Sequence, residues 1–186
     1  MLISTKMRKH FEDSIEIPEG VSCNINGKIL NCTNNANSLA LQLPIPKIRA
    51  LIKEGRITLS VQKGNKNHWK LIKSYISHIK NLFSGLAKKY ICTLEVCFVH
   101  FPITLKADPG VLMINNFLGE KAPRKAVILP DVFVEIKGQK ITLSSSRKES
   151  VGQTAANFEI ATKVRSRDRR IFQDGIFITK KPEAEK

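Results

Sequence analysis

The sequence predicts an α+β fold: two tandem, duplicated two-layer domains, each a mostly antiparallel sheet packed against one helix. Three observations carry this expectation. The chain matches itself at an offset of 84 residues. Each copy opens on short runs in which apolar residues alternate. Each then carries one apolar stripe at helical spacing.

At that offset, with no gaps, Pro18 meets Pro102, Asn31 meets Asn115 and Pro46 meets Pro130. Ile52-Lys53 meets Ile136-Lys137, and Ile57-Thr58-Leu59-Ser60 meets Ile141-Thr142-Leu143-Ser144. Ile76 meets Ile160, while Ile15, Ile17 and Ile29 meet the apolar Val99, Phe101 and Met113. One register held over most of the chain implies two copies of one domain.

In the first copy, Ile15, Ile17, Val21, Cys23 and Ile25 mostly alternate. Asn26-Gly27 is a hairpin signal, because a type I′ turn needs positive φ at both central residues. The return strand is Ile29 to Thr33. Ile48, Ala50 and Ile52 alternate next, Glu54-Gly55 turns, and Arg56 to Val61 returns. A helix is expected from about Asn67 to Lys89. Its stripe is Leu71, Ile72, Tyr75, Ile76, Ile79, Leu82, Phe83 and Leu86, with Lys70, Lys73 and Lys80 mainly off it.

The second copy repeats the scheme. Thr93 to Leu105 and Val111 to Asn115 read as strands. Val132, Val134 and Ile136 alternate, Lys137-Gly138 turns, and Lys140 to Ser144 returns. A helix from Val151 to Lys163 follows, with Ser150 as a candidate cap and Glu149 placed to suit the helix dipole. A short apolar strand after an Asp174-Gly175 turn closes the copy. The expected boundaries are 1–90 for the first sheet-plus-helix domain, 91–180 for the second, and 181–186 for a flexible tail.

Charge narrows the partner. The 186 residues hold 31 Lys+Arg against 16 Asp+Glu, a formal net charge of +15. That excess is the electrostatic footprint of a nucleic-acid binder. No apolar run is long enough to span a membrane, since Tyr90 to Leu105 is broken by Glu95, His100 and Pro102. The opening MLISTKMRKHFED lacks an apolar core of signal-peptide length, so Asn31-Cys32-Thr33 is not read as a glycosylation site. Four cysteines suit a reducing compartment.

The binding chemistry is densest between Val151 and Thr179. Gly152, Gln153 and Thr154 open the expected helix, where free N–H groups suit phosphate and a glycine admits close approach. Lys163, Arg165, Arg167, Arg169 and Arg170 then crowd into eight residues. Arginine forks grip phosphate bidentately.

Here the sequence resembles the L-six family of large-subunit ribosomal proteins (L-nine in eukaryotic naming). Val151-Gly152-Gln153-Thr154-Ala155-Ala156-Asn157 and Arg167-Asp168-Arg169-Arg170-Ile171-Phe172-Gln173-Asp174-Gly175-Ile176 carry the likeness. Ile17-Pro18-Glu19-Gly20-Val21, Trp69 with Ser77-His78, His100-Phe101-Pro102-Ile103 and Phe117-Leu118-Gly119-Glu120-Lys121 extend it. The resemblance implies a structural component of the large ribosomal subunit. It implies contacts to ribosomal RNA through the second domain, near the stalk base and the sarcin–ricin loop, and neighbouring ribosomal proteins as partners. Carried over by motif, those contacts fall on Gly152, Gln153, Thr154, Lys163, Arg165, Arg167, Arg169 and Arg170. A cytoplasmic ribosomal location follows, with nucleolar assembly if the source is eukaryotic.

Two departures stand out. The family's Gly-Pro-basic-Gly-x-Leu turn is replaced here by Asn34-Asn35-Ala36-Asn37-Ser38-Leu39. Arg169 stands where archaeal-type members usually have Pro, which removes a fixed φ and adds a cation.

No cofactor, metal or small-molecule substrate is expected. Cys92 and Cys97 lie inside a strand pattern, Cys23 and Cys32 flank a hairpin, and all four read as packed thiols rather than zinc ligands. His10, His68, His78 and His100 form no short-range pair. The alternative is a basic nucleic-acid-processing enzyme or a free RNA chaperone. For the enzyme only Asp168 and Asp174 lie close together in the basic segment, and no Gly-Lys-Ser/Thr loop or Gly-x-Ser-x-Gly elbow occurs.

Overall fold

The computed structural model describes residues 9–34, 37–43 and 48–185. They divide into two compact units, one ending at Ala87 and the other beginning at Lys88. None of the described helices is long and apolar enough to cross a membrane.

The first unit runs β1 (Lys9–Glu16), β2 (Val21–Asn26), β3 (Ile29–Asn34), β4 (Ser38–Gln42), β5 (Arg49–Lys53), β6 (Arg56–Gly64) and α1 (Lys66–Ala87). Its strands divide between two antiparallel sheets, β1-β6-β5 and β2-β3-β4. One helix serves both, since α1 packs on β1 and β6 and also on β3 and β4. Asn65 caps the helix, its Oδ1 accepting from the N–H groups of Asn67 and His68 at 3.1 Å. Ile72 and Ile79 of α1 are fully buried against Leu30, Cys32, Ile57 and Leu59. Burying each such side chain contributes about 1.5–3 kcal/mol.

The second unit repeats the order: β7 (Tyr90–Cys97), β8 (Thr104–Asp108), β9 (Val111–Asn115), β10 (Arg124–Val127), β11 (Phe133–Lys137), β12 (Lys140–Ser145) and α2 (Lys148–Ala161). The pairings repeat as well. β12 lies between β11 and β7 as β6 lies between β5 and β1, and β9 is central in β10-β9-β8 as β3 is in its sheet. Six strands and a helix in the same order, paired the same way, are a duplication. The unit adds β13 (Gly175–Ala184), which pairs antiparallel with the free side of β7.

The single 84-residue register does not survive. It holds for the hairpins β5–β6 and β11–β12, where Arg49 pairs Ser60 and Phe133 pairs Ser144. In the first strands, Ile57 faces Ile15 whereas Ile141 faces Leu94, so the partners are 79 residues apart. The β2–β3 turn at Gly27-Lys28 and the β8–β9 turn at Pro109-Gly110 are 82 apart. Val99, matched to Ile15 in the ungapped register, lies beyond β7 and is 82% exposed. Ile76 is buried while Ile160 is 58% exposed. The copies therefore differ by insertions in their connections.

Other boundaries also shift. The expected strand Thr93–Leu105 is two strands, β7 and β8, separated near the exposed Val99. The tail at 181–186 is not loose through Glu185: Glu183 and Ala184 pair with Ile91 and Tyr90, and the Glu185 N–H donates to the Lys89 carbonyl. β4 begins inside the stretch read as the Asn34–Leu39 turn, of which Asn35 and Ala36 lie outside the described residues, as does Pro46.

Candidate nucleic-acid interface

The segment from α2 to β13 is fastened at both ends. Thr162, 3% exposed, ends α2. Its hydroxyl donates to the Phe158 carbonyl at 3.1 Å and accepts from the Ile176 N–H at 2.9 Å. One side chain thus ties the helix end to the start of β13. Asp174 is buried, and its Oδ1 accepts from the Val99 N–H at 3.3 Å. Val164 is buried between these anchors.

Between the anchors the loop supplies its own skeleton. The Asp168 carbonyl accepts from the N–H groups of Ile171 and Phe172. The Asp168 carboxylate accepts from the Arg170 N–H at 2.9 Å and from its guanidinium at 3.0 Å. Those bonds hold the Asp168 carboxyl below the usual carboxylate range. Ser166 takes a left-handed φ of 55°. The Arg167 guanidinium lies 4.8 Å from the centre of the Phe172 ring. Lys163, Arg165, Arg167, Arg169 and Arg170 are all exposed. Asp168 and Asp174, the two acids of the basic segment, both hold the loop in place.

Arg124 is the residue sequence reasoning missed. From β10 its Nη1 donates to the carbonyls of Ala161 at 2.9 Å and Lys163 at 3.3 Å, the last helical residue and the start of the loop. Its Nε and Nη2 grip Glu120 bidentately at 2.7 and 2.6 Å. Its guanidinium also stacks 4.2 Å from the Phe117 ring centre. The cation thereby satisfies carbonyls that a helix end leaves without partners. The Glu120–Arg124 spacing of four was the available signal, but nothing local indicates that the arginine reaches α2.

The helix opening is corrected. α2 begins at Lys148, and its cap is Arg147 rather than Ser150, which is buried in the first turn. The Val151 N–H already bonds to the Arg147 carbonyl, so Gly152, Gln153 and Thr154 lie past the free donors of the helix start. Thr154 is fully buried, and its Oγ1 accepts from the Leu129 N–H at 3.3 Å. It faces its own unit and is withdrawn as a contact. Gln153 is exposed and donates to Asn157, which donates in turn to the Val127 carbonyl. A Cβ on Gly152 would meet only Pro182 Cγ, at 3.8 Å, so tight packing does not require the glycine.

Gly152 and Gln153 lie on α2, and Lys163, Arg165, Arg167, Arg169 and Arg170 lie in the loop that follows it. An open groove of about 1020 Å³ lies beside the loop, lined by Lys163, Arg169 and Arg170, by the acids Glu95, Glu159 and Asp174, and by the apolar Ile160 and Phe172. In this unit Cys92 is buried with its thiol donating to the Lys180 carbonyl, while Cys97 is exposed.

Comparison with known proteins bears on this unit first. Residues 103–175, from before β8 to the start of β13, match the family model for ribosomal protein L6. The chain is similar to the large ribosomal subunit protein uL6 of Methanosarcina mazei, 37% identical over 175 residues that cover 94% of this chain and 99% of that one. The Methanococcus vannielii protein of the same name is 38% identical over 91% of this chain and 93% of its own. That of Natronomonas pharaonis is 34% identical over 91% and 96%. Identity at this level, spread over nearly the full length of both chains, shows the family: the chain belongs to the ribosomal protein L6 family.

Proposed function

We propose that this protein is a non-catalytic structural constituent of the large ribosomal subunit and grips ribosomal RNA with its second unit. The observation that carries the reading is the loop 163–170. Its turn is satisfied internally by Asp168, and its cations are left exposed. A loop backbone held in place before binding loses less entropy when its side chains grip phosphate. Lys163, Arg165, Arg167 and Arg169 contact phosphates, while Arg170 mainly holds the loop through Asp168. The location near the stalk base and sarcin–ricin loop, with ribosomal proteins as neighbours, rests on the family resemblance. Cytoplasmic ribosomes, with nucleolar assembly if the cell is eukaryotic, complete the reading.

The test is sedimentation of the full chain expressed in cells. It should travel with large subunits through a high-salt gradient. Recovery at the top of the gradient, or with small subunits, would contradict the assignment.

Gly152 gives a separable prediction. A mid-helix glycine costs about 0.5–1 kcal/mol relative to alanine, and here a Cβ has room. Gly152→Ala should therefore raise the melting temperature of the free protein while weakening its binding to ribosomal RNA, because the methyl group occupies the path of the RNA backbone. Higher stability with unchanged affinity would remove Gly152 from the interface.

A further inference from the structure

Cys23 and Cys32 are directly opposite one another in the β2–β3 ladder, and their sulfur atoms are 2.6 Å apart as free thiols. Directly opposed residues of an antiparallel pair have Cα atoms about 4.5–5.5 Å apart, inside the roughly 4.4–6.8 Å that a disulfide spans. The backbone need not move to join them. The neighbouring opposed pair, Ser22 and Thr33, fills the wet face with a hydroxyl contact of 2.6 Å. The cysteines take the core face, Cys32 fully buried and Cys23 half-buried. Neither thiol has a role in the RNA-binding loop of the other unit.

We propose that Cys23 and Cys32 form a reversible dithiol–disulfide site whose reaction partner is a low-molecular-weight disulfide. The accessible Cys23, as thiolate, attacks one sulfur of that disulfide and releases one small thiol. A mixed disulfide is left on Cys23. Cys32, already against it, loses its proton and attacks Cys23 Sγ. The second small thiol leaves, and the Cys23–Cys32 bond forms. Two cysteine thiols are oxidised and one small disulfide is reduced to two thiols, so electrons and protons balance. Burial raises both thiol pKa values, which makes the thiolate scarce and the reaction slow at neutral pH. The bond closes the β2–β3 hairpin covalently and restricts the unfolded chain.

The test treats the full-length, folded protein with oxidised glutathione, blocks remaining thiols with an alkylating agent, and maps the products by mass spectrometry. Exposed Cys97 is the control that the oxidant is active. The expected result is loss of both Cys23 and Cys32 from alkylation, joined within one chain, with buried Cys92 still free. The oxidised protein should melt at a higher temperature, and dithiothreitol should reverse both changes. Three results would overturn the proposal. Cys23 could stop as a glutathione adduct, it could cross-link to a second chain, or both thiols could remain free under conditions that modify Cys97.

Discussion

Replacing Arg124 by Leu should cost the free protein about 2–3 kcal/mol, because hydrogen bonds to charged groups are each worth about 1.5–3 kcal/mol net and some of the freed groups are rehydrated. Four contacts go at once: two to Glu120 and one each to the Ala161 and Lys163 carbonyls. The loss reaches the basic loop without touching any of its cations. Affinity for ribosomal RNA should therefore fall as well, although the net charge of the loop is unchanged. The pH dependence has a definite sign. The Glu120 carboxyl is held below the usual carboxylate range, chiefly by its hydrogen bonds from Arg124. A depressed folded pKa gives stability that is present above the unfolded value, about 4.3, and lost as pH falls through the folded value. The variant should lose that part of its acid sensitivity. Denaturant melts of wild type and variant between neutral pH and pH 3 measure both effects. Equal stability at neutral pH would show that Arg124 is not the clamp.

Phe158→Ala should be more damaging still, at about 3–5 kcal/mol. Phe158 is fully buried in the core of the second unit, and its carbonyl receives the Thr162 hydroxyl that ends α2. Removing the ring leaves a cavity beneath the helix turn from which the basic loop departs. The denaturation midpoint should fall with little change in the steepness of the transition, the signature of lost stability rather than altered unfolding. A drop under about 1 kcal/mol would mean that the helix is seated elsewhere.

The sequence made the hairpins β5–β6 and β11–β12 legible because strict alternation and short turns leave one register open. It hid β1, where the inward position next to Phe11 and Ile15 is Asp13, paired with Lys73 at 2.6 Å. A charge at an inward position breaks the apolar alternation on which strand reading depends. β4 was lost because an Asn-rich turn signal overlaps its start, and β10 because only four residues carry it. Ungapped self-comparison found the duplication but forced one offset onto connections of unequal length, so Ile15 was matched with Val99 and Ile76 with Ile160. The basic cluster was visible because charge density needs no fold. Its support was not, since Arg124, Thr162 and Asp174 act across 14 to 75 residues of sequence. Thr154 failed as a candidate for the same reason: a motif gives its residue type, and only packing shows that its hydroxyl turns inward to Leu129.

The central claim is that the exposed cations of the loop hold RNA phosphate. The direct measurement is the salt dependence of binding between the free protein and structured ribosomal RNA. Each phosphate neutralised contributes about 0.7–0.9 to the slope of log affinity against log salt. Arg165, Arg167 and Arg169 are the residues to change, because Arg170 is engaged with Asp168 and its removal would disturb the turn itself. Substituting the three by Ala should leave the melting temperature nearly unchanged and make the slope shallower by about 2–3. A slope equal to that of the wild-type protein, with the fold intact, would contradict the account and leave the cluster as solvated surface.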